Sequence, residues 1–257
     1  MISLVKPVRI IKDIYTVDDW FRLAPPAGGA KHWVVGRSAK ELAKAWCNRA
    51  SGPAVPIELQ ELLSTHPDID GAAILEAIPE HKVKFDKIRG EPRNTDLVCI
   101  AERANQRIAI SLEAKSDETF GDLVSDVVKT PLSSRSGRPK RVEKLCLALF
   151  GCQPIDLPRI RELRYQLLYG VAASLAYAGQ VNASRALFVV HEFVKQGTDT
   201  ERNERDLNNF LNLLSPGATP LGRRLRGPVR VPGNEHIPGD IYLYFGKIRT
   251  EIGGASV

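Results

Sequence analysis

The sequence predicts an α/β fold in which a mixed β-sheet is flanked by helices. From residue 81, Val83 and Phe85 alternate with charged neighbours, and residues 96–102 and 107–115 are two further runs rich in β-forming residues. Residues 183–193 form an apolar run typical of a buried strand, whereas apolar residues recur at helical spacing after Ser38. Since strands and helices are interspersed along the chain, we expect one sheet covered by helices on its faces.

The elements can be placed in order from their period and their flanking turn residues. Ser38 and Glu41 form a capping box that starts the first helix, and residues 68–79 fit either a helix or a strand. The expected elements are helices at 38–46 and 57–64, strands at 81–85, 96–102 and 107–115, helices at 120–130, 141–151 and 158–179, a strand at 183–193, a helix at 201–214 and a strand at 241–248.

The same pattern suggests three regions. Residues 1–37 look irregular and form an N-terminal extension, 38–193 form the core, and 194–257 add a helix and a strand packed on that core. The 257 residues are 43% hydrophobic and 26% charged, which excludes wholesale disorder and a fibrous protein.

Charge and cysteine usage indicate the compartment and the partner. The net charge of +6 favours a polyanionic partner. The four cysteines show no C-x-x-C spacing, so we expect them to be reduced in a cytoplasmic protein. Lys6, Arg9 and Lys12 interrupt the apolar positions of the N-terminus, so we expect no secretory signal and no membrane partner. No phosphate-binding loop or nucleophile elbow is present, and the five histidines lack zinc-ligand spacing.

The two strands at 96–102 and 107–115 carry the most informative residues. A loop at residues 103–106 has its midpoint at 104.5, so residues paired across the hairpin sum to 209, and Asp96 then faces Glu113. Lys115 lies two residues further along and points to the same face. Because facing acids repel, a cation between them is expected, and oxygen ligands at this separation suit Mg²⁺ or Mn²⁺.

An acid and a Lys two residues apart also occur on solvated strand faces. Here Ile108, Ile110 and Leu112 are apolar and the intervening residues are small, so the strand leads out of the core and favours a cleft. Lys115 would then orient a water and neutralise charge on a phosphate.

Asp96, the hairpin and the run Glu113-Ala114-Lys115 resemble the PD-(D/E)XK, or restriction-endonuclease-like, nuclease superfamily, although Thr95 replaces the usual Pro. The resemblance covers about 38–193 and implies a restriction-endonuclease-like core, metal ligands at Asp96 and Glu113, and a catalytic Lys115. Over its whole length the chain also resembles a bacterial group that implies no more specific activity.

The resemblance implies further site residues. Glu41, on the first helix, would complete the acid cluster, with Glu76 and Glu80 as substitutes; the capping box explains Glu41 equally well. Gln166, and with it Tyr169, would lie beside the metal from the long helix, as in several branches of the superfamily.

Two basic stretches could hold a nucleic acid. In the first, Gly137 and Pro139 predict a loop, and its candidate phosphate contacts are Arg135, Arg138, Lys140 and Arg141. The second contains Arg223, Arg224, Arg226 and Arg230. Both stretches could equally be solvated surface.

The sequence therefore predicts a Mg²⁺- or Mn²⁺-dependent phosphodiesterase acting on nucleic acid, in the first place a DNA endonuclease. Two alternatives stay open: a nuclease-like module that binds nucleic acid without cutting it, and an interaction protein in which the acid pair is incidental. A homodimer is compatible with either.

Overall fold

The computed structural model describes residues 8–47, 52–88, 91–129, 137–195, 197 and 201–253. They form a mixed seven-stranded sheet with helices on both faces, which confirms the predicted α/β fold class. The strands are β1 (Arg9–Ile10), β2 (Ala73–Val83), β3 (Arg93–Arg103), β4 (Gln106–Lys115), β5 (Arg185–Val194), β6 (Arg226–Val229) and β7 (Tyr242–Glu251). The helices are α1 (Val17–Leu23), α2 (Ser38–Cys47), α3 (Ile57–Leu63), α4 (Val124–Val128), α5 (Arg138–Phe150), α6 (Tyr165–Gln180) and α7 (Glu201–Leu214).

The strand order is β1-β2-β3-β4-β5-β7-β6. The β2–β3, β3–β4 and β6–β7 pairs are antiparallel, and the β1–β2, β4–β5 and β5–β7 pairs are parallel. The C-terminal strand β7 is thus hydrogen-bonded along the whole of β5, and the single sheet extends beyond the expected core.

Two hydrophobic cores lie on the two faces of this sheet. Leu42 and Trp46 of α2 pack with Leu97 and Leu112 on one face, together with residues of α1 and α3. Leu168 of α6 belongs to the core on the other face, which also contains residues of α4, α5 and α7. Each strand therefore sends alternate side chains to different helices, as the period of two requires.

The β3–β4 hairpin has the register predicted from its loop. Its pairs run from Arg103–Gln106 to Leu97–Leu112, and each sums to 209. The turn consists of Ala104 and Asn105, whose φ angles of 47° and 60° match the type I′ turn of two-residue hairpins. The predicted hairpin is confirmed, with two turn residues in place of four.

Several element boundaries differ from the sequence expectations. The N-terminal region is not irregular throughout, because it contains β1 and α1. The ambiguous stretch 68–79 leads into β2, and the long helix expected from residue 158 is a 3₁₀ turn, Pro158–Glu162, followed by α6. The short strand β6 carries no alternation signal and was not expected.

No helix in the described part of the chain is long and apolar enough to cross a membrane.

Candidate active site

The carboxylates of Asp96 and Glu113 lie together where β3 and β4 approach α6. The last β3–β4 pair is Leu97–Leu112, and continuing this register by one position places Asp96 opposite Glu113. Asp96 Oδ2 accepts the backbone N–H of Ala114 at 2.7 Å, which ties this side chain to the neighbouring strand. Glu113 is only 2% exposed, so its charge is held inside the protein.

Lys115 and Gln166 complete the polar group around Glu113. The Lys115 ammonium donates to Glu113 Oε1 at 3.0 Å and to Gln166 Oε1 at 3.1 Å, and it lies 5.2 Å from the centre of the Phe120 ring. The Gln166 amide also donates to Glu113 Oε1. The structure therefore brings together four site residues that were predicted from the sequence and lie on β3, β4 and α6: Asp96, Glu113, Lys115 and Gln166.

Glu80 is the third acid of this group, from β2. The pairs Pro79–Leu97 and His81–Thr95 flank it, so Glu80 lies opposite Asp96 just as Glu113 does on the other side. Its carboxylate accepts a hydrogen bond from the Asn94 side chain. Glu80 was one of two substitutes for Glu41 in the sequence analysis; we call Glu80, Asp96 and Glu113 the acid row.

Arg93, at the start of β3, is the site residue that sequence reasoning missed. Its guanidinium donates to Glu113 Oε2 in an ion pair whose partners are 12% and 2% exposed. Nothing local in the sequence marks it, because Arg93 lies next to Pro92 in what looks like a turn. The sequence could have indicated only that some cation lies near the two facing acids, and not that this cation is Arg93.

The pKa values of the acid row diverge. Burial, and then repulsion from Glu113, raise the pKa of Asp96 to about 7. Burial and the charge of Asp96 raise the pKa of Glu80 to about 8. Burial also opposes the charge on Glu113, but Arg93 and Lys115 outweigh it and hold the pKa of Glu113 below its usual range. Glu113 is thus the charged member of the row, and the other two hold their protons more tightly.

Residues 13–252 match the family described as a domain of unknown function, DUF6946. The chain belongs to the DUF6946 family. No curated protein matches it significantly. No solved structure does so either.

In this DUF6946 chain, Glu41 lies apart from the acid row. Its carboxylate accepts the N–H of Gly36 at 2.7 Å and pairs with Lys44 at 2.9 Å. The expected capping box with Ser38 is wrong, because Ser38 is already helical and its hydroxyl donates to Glu118. Since α2 packs on the opposite face of the sheet from α6, Glu41 caps its own helix and Glu80 takes the place next to Asp96.

The first basic stretch is not the loop that Gly137 and Pro139 suggested. Helix α5 begins at Arg138, with Pro139 in its first turn, where a proline is tolerated. Arg138 pairs with Asp122 at 2.7 Å, and Arg141 is buried in an ion pair with Asp86 at 2.6 Å.

These pairs decide which candidate phosphate contacts remain available. The ion pair of Arg141 rules it out as an exposed phosphate contact, whereas Lys140 is exposed and Arg135 lies outside the described residues. In the second stretch, Arg226 donates to the Pro220 carbonyl and Arg230 lies over Tyr242, while Arg223 and Arg224 are exposed.

Tyr169 lies near the acid row, but among the described residues no hydrogen bond joins the two. Its hydroxyl donates to the Glu91 carbonyl at 3.2 Å, and its ring stacks on Tyr165 and lies under Arg141. Tyr169 therefore holds the chain segment that leads into Arg93, which is a positioning role.

The described residues contain no group of three or more His, Cys, Asp or Glu side chains arranged to hold a metal ion by themselves. Two carboxylates can nevertheless suffice for Mg²⁺, which keeps several waters and uses substrate phosphates as ligands. Asp96 Oδ2 accepts the Ala114 N–H, which leaves Oδ1 as the other carboxylate oxygen that could bind a metal. Both oxygens of Glu113 accept hydrogen bonds, Oε2 from Arg93 and Oε1 from Lys115 and Gln166.

Proposed function

We propose that this protein is a divalent-metal-dependent phosphodiesterase that hydrolyses nucleic acid, in the first place DNA. The observation that carries the proposal is the convergence of Asp96 and Glu113 with Lys115 and Gln166. A purely structural ion pair would need one acid and one base. Here three acids from adjacent strands face α6, and two of them have raised pKa values. Such clustering of perturbed acids is typical of functional sites.

Asp96 and Glu113 are the residues that would hold the metal. Their donor chemistry fits Mg²⁺ or Mn²⁺, because both ions prefer carboxylate oxygens, and a dication would relieve the repulsion that raises the pKa of Asp96. When bound, the ion would supply positive charge to a phosphoryl oxygen and favour deprotonation of a water.

Lys115 would act on the phosphate directly. Hydrolysis adds negative charge to the phosphodiester, and a fixed ammonium beside it stabilises that charge without reorganising. Gln166 accepts a hydrogen bond from Lys115 and donates one to Glu113, so it fixes both side chains relative to each other. It is a positioning residue for Lys115.

A second function is favoured by one observation. Arg93 and Lys115 already neutralise Glu113 within the protein, which would suit a module that keeps the nuclease-like site but binds nucleic acid without cutting it. The two functions differ in whether a divalent metal causes cleavage.

The test is cleavage of plasmid, single-stranded DNA and RNA with Mg²⁺ or Mn²⁺, measured together with filter binding. We expect Lys115→Ala to reduce cleavage by about 10²-fold while leaving nucleic-acid binding in place. Asp96→Asn should abolish metal-dependent cleavage. Lys129→Ala, which removes an exposed lysine after α4, is the matched control and should cut like the wild type. Binding by the wild type without cleavage in either metal would favour the second function.

A further inference from the structure

Arg93 occupies the part of Glu113 that a metal ion would need. Glu113 Oε2 accepts from Arg93, and Oε1 accepts from both Lys115 and Gln166. Since this carboxylate is 2% exposed, its oxygens are committed to these partners. A divalent ion that binds Glu113 therefore competes with these two cations for its carboxylate.

The contacts of the two cations indicate which one would leave. Lys115 is held by two hydrogen bonds, to Glu113 and Gln166, and lies over the Phe120 ring. In the described part of the chain, the guanidinium of Arg93 has Glu113 as its one hydrogen-bonded partner, and its Nε is buried without a partner. A buried donor without a partner is rare and costs stability. Arg93 is therefore the cation with unmet hydrogen-bonding capacity.

We propose that Arg93 is an internal counter-ion that competes with the divalent metal for Glu113 and, once displaced, binds a phosphate of the nucleic acid. This inference rests on the proposed function. A guanidinium is a planar fork of donors that matches a phosphate in a bidentate way, so displacement gives Arg93 a partner that can satisfy more of its N–H groups. Metal binding and phosphate binding by Arg93 are then coupled through Glu113.

The first measurement is Mn²⁺ affinity by titration calorimetry, on the wild type, Arg93→Gln and Arg93→Lys. Removing the competing charge should tighten Mn²⁺ binding in Arg93→Gln by about tenfold, within the usual range of coupling between two ligands. Arg93→Lys keeps the charge and should stay close to the wild type. Unchanged or weaker Mn²⁺ binding in Arg93→Gln would overturn the inference.

The second measurement is the affinity for a labelled oligonucleotide with phosphorothioate linkages, which keep the negative charge and resist cleavage, so that Lys115 stays in place. With Mn²⁺ present, Arg93→Gln should weaken oligonucleotide binding by about tenfold. Without metal it should have little effect, because Arg93 is then engaged by Glu113. An equal loss with and without Mn²⁺ would contradict the exchange of partners.

A third measurement needs no variant, in case Arg93→Gln does not fold. The Nε–H signal of Arg93 in an NMR spectrum of the wild type should exchange faster with water at saturating Mg²⁺ than without metal. If the Nε–H exchanged equally fast with and without saturating Mg²⁺, the inference about Arg93 would be overturned while the proposed metal site would stand. Failure of both wild type and Arg93→Gln to bind Mn²⁺ would instead overturn the proposed metal site, and the inference with it.

Discussion

We expect substitutions of two acids of the same row to have different effects on stability, because the surroundings of the two acids differ. Glu113 is the direct counter-ion of Arg93 and Lys115, so Glu113→Gln removes the carboxylate that is ion-paired with two buried cations. Without metal, this variant should lose about 3 kcal/mol of unfolding free energy. Asp96→Asn removes a charge that burial and Glu113 disfavour, and its amide oxygen can still accept the Ala114 N–H. It should be as stable as the wild type, or more so, at pH 8.

Urea denaturation of the two variants and the wild type, in the presence of a chelator, measures this difference. Equal destabilisation by both substitutions would contradict the charge assignment within the row.

A second residue-scale prediction concerns His191, which is fully buried on β5. Its Nε2 lies 2.9 Å from the Thr250 hydroxyl, which donates to Glu58, and its Nδ1 has no partner among the described residues. Burial lowers the pKa of His191 to about 3. As the pH falls from about 6.5 towards 3, the unfolded chain therefore takes up a proton that the folded chain refuses, and stability is lost.

The slope from this one group approaches about 1.4 kcal/mol per pH unit. His191→Gln can keep the hydrogen bond to Thr250 without titrating, so its unfolding free energy should fall less steeply between pH 6 and pH 4. Denaturation at a series of pH values measures both slopes. Parallel slopes for the variant and the wild type would show that His191 is not held neutral.

Three site residues were predictable because they are local, and Gln166 was predictable only through the family resemblance. Asp96, Glu113 and Lys115 follow from one hairpin, whose register depends on the loop between its strands. Glu80 and Arg93 join them only through pairing of β2 with β3 and through the reach of a long side chain. The sequence contains no short-range signal for either contact.

At the scale of elements, the hairpin turn sets the position of the acids and is itself strained. Ala104 adopts a φ of 47°, a left-handed conformation that costs a residue with a Cβ about 1 kcal/mol or more. Asn tolerates this conformation and is preferred in type I′ turns, so Ala104→Asn should raise the unfolding free energy by about 0.5 kcal/mol. Ala104→Val, with a branched Cβ, should lower it by about 1 kcal/mol.

The two variants form a matched pair, and chemical denaturation measures both. If Val were tolerated as well as Asn, the turn would not have the left-handed geometry described.

Elements with strong periodicity were predicted well, and those set by tertiary contacts were not. Helix α7 has the expected bounds, 201–214, because its apolar residues recur at helical spacing between polar ones. Helix α5 starts at Arg138 and not at residue 141. Gly137 and Pro139 suggested a loop, but a proline in the first turn of a helix is favourable. The strand β6 exists because it pairs with β7, which no local pattern indicates.

At the scale of the whole molecule, the sheet gathers charge at one place. Strands β2, β3 and β4 each contribute one acid at the same level, and α6 covers them with Gln166. The parallel strand β5 continues beyond them on the other side of β4, so the acid row lies within the sheet and not at its edge. This arrangement gives the acid row rigid support on three neighbouring strands.

The most direct test of the proposed metal site is a crystal structure of the protein soaked in Mn²⁺, with anomalous diffraction data to locate the ion. We expect an anomalous peak in contact with the carboxylates of Asp96 and Glu113, with the Arg93 guanidinium displaced from Glu113. A well-diffracting, Mn²⁺-saturated crystal without a peak between these two carboxylates, and with Arg93 still paired to Glu113, would contradict the metal site and the nuclease function built on it.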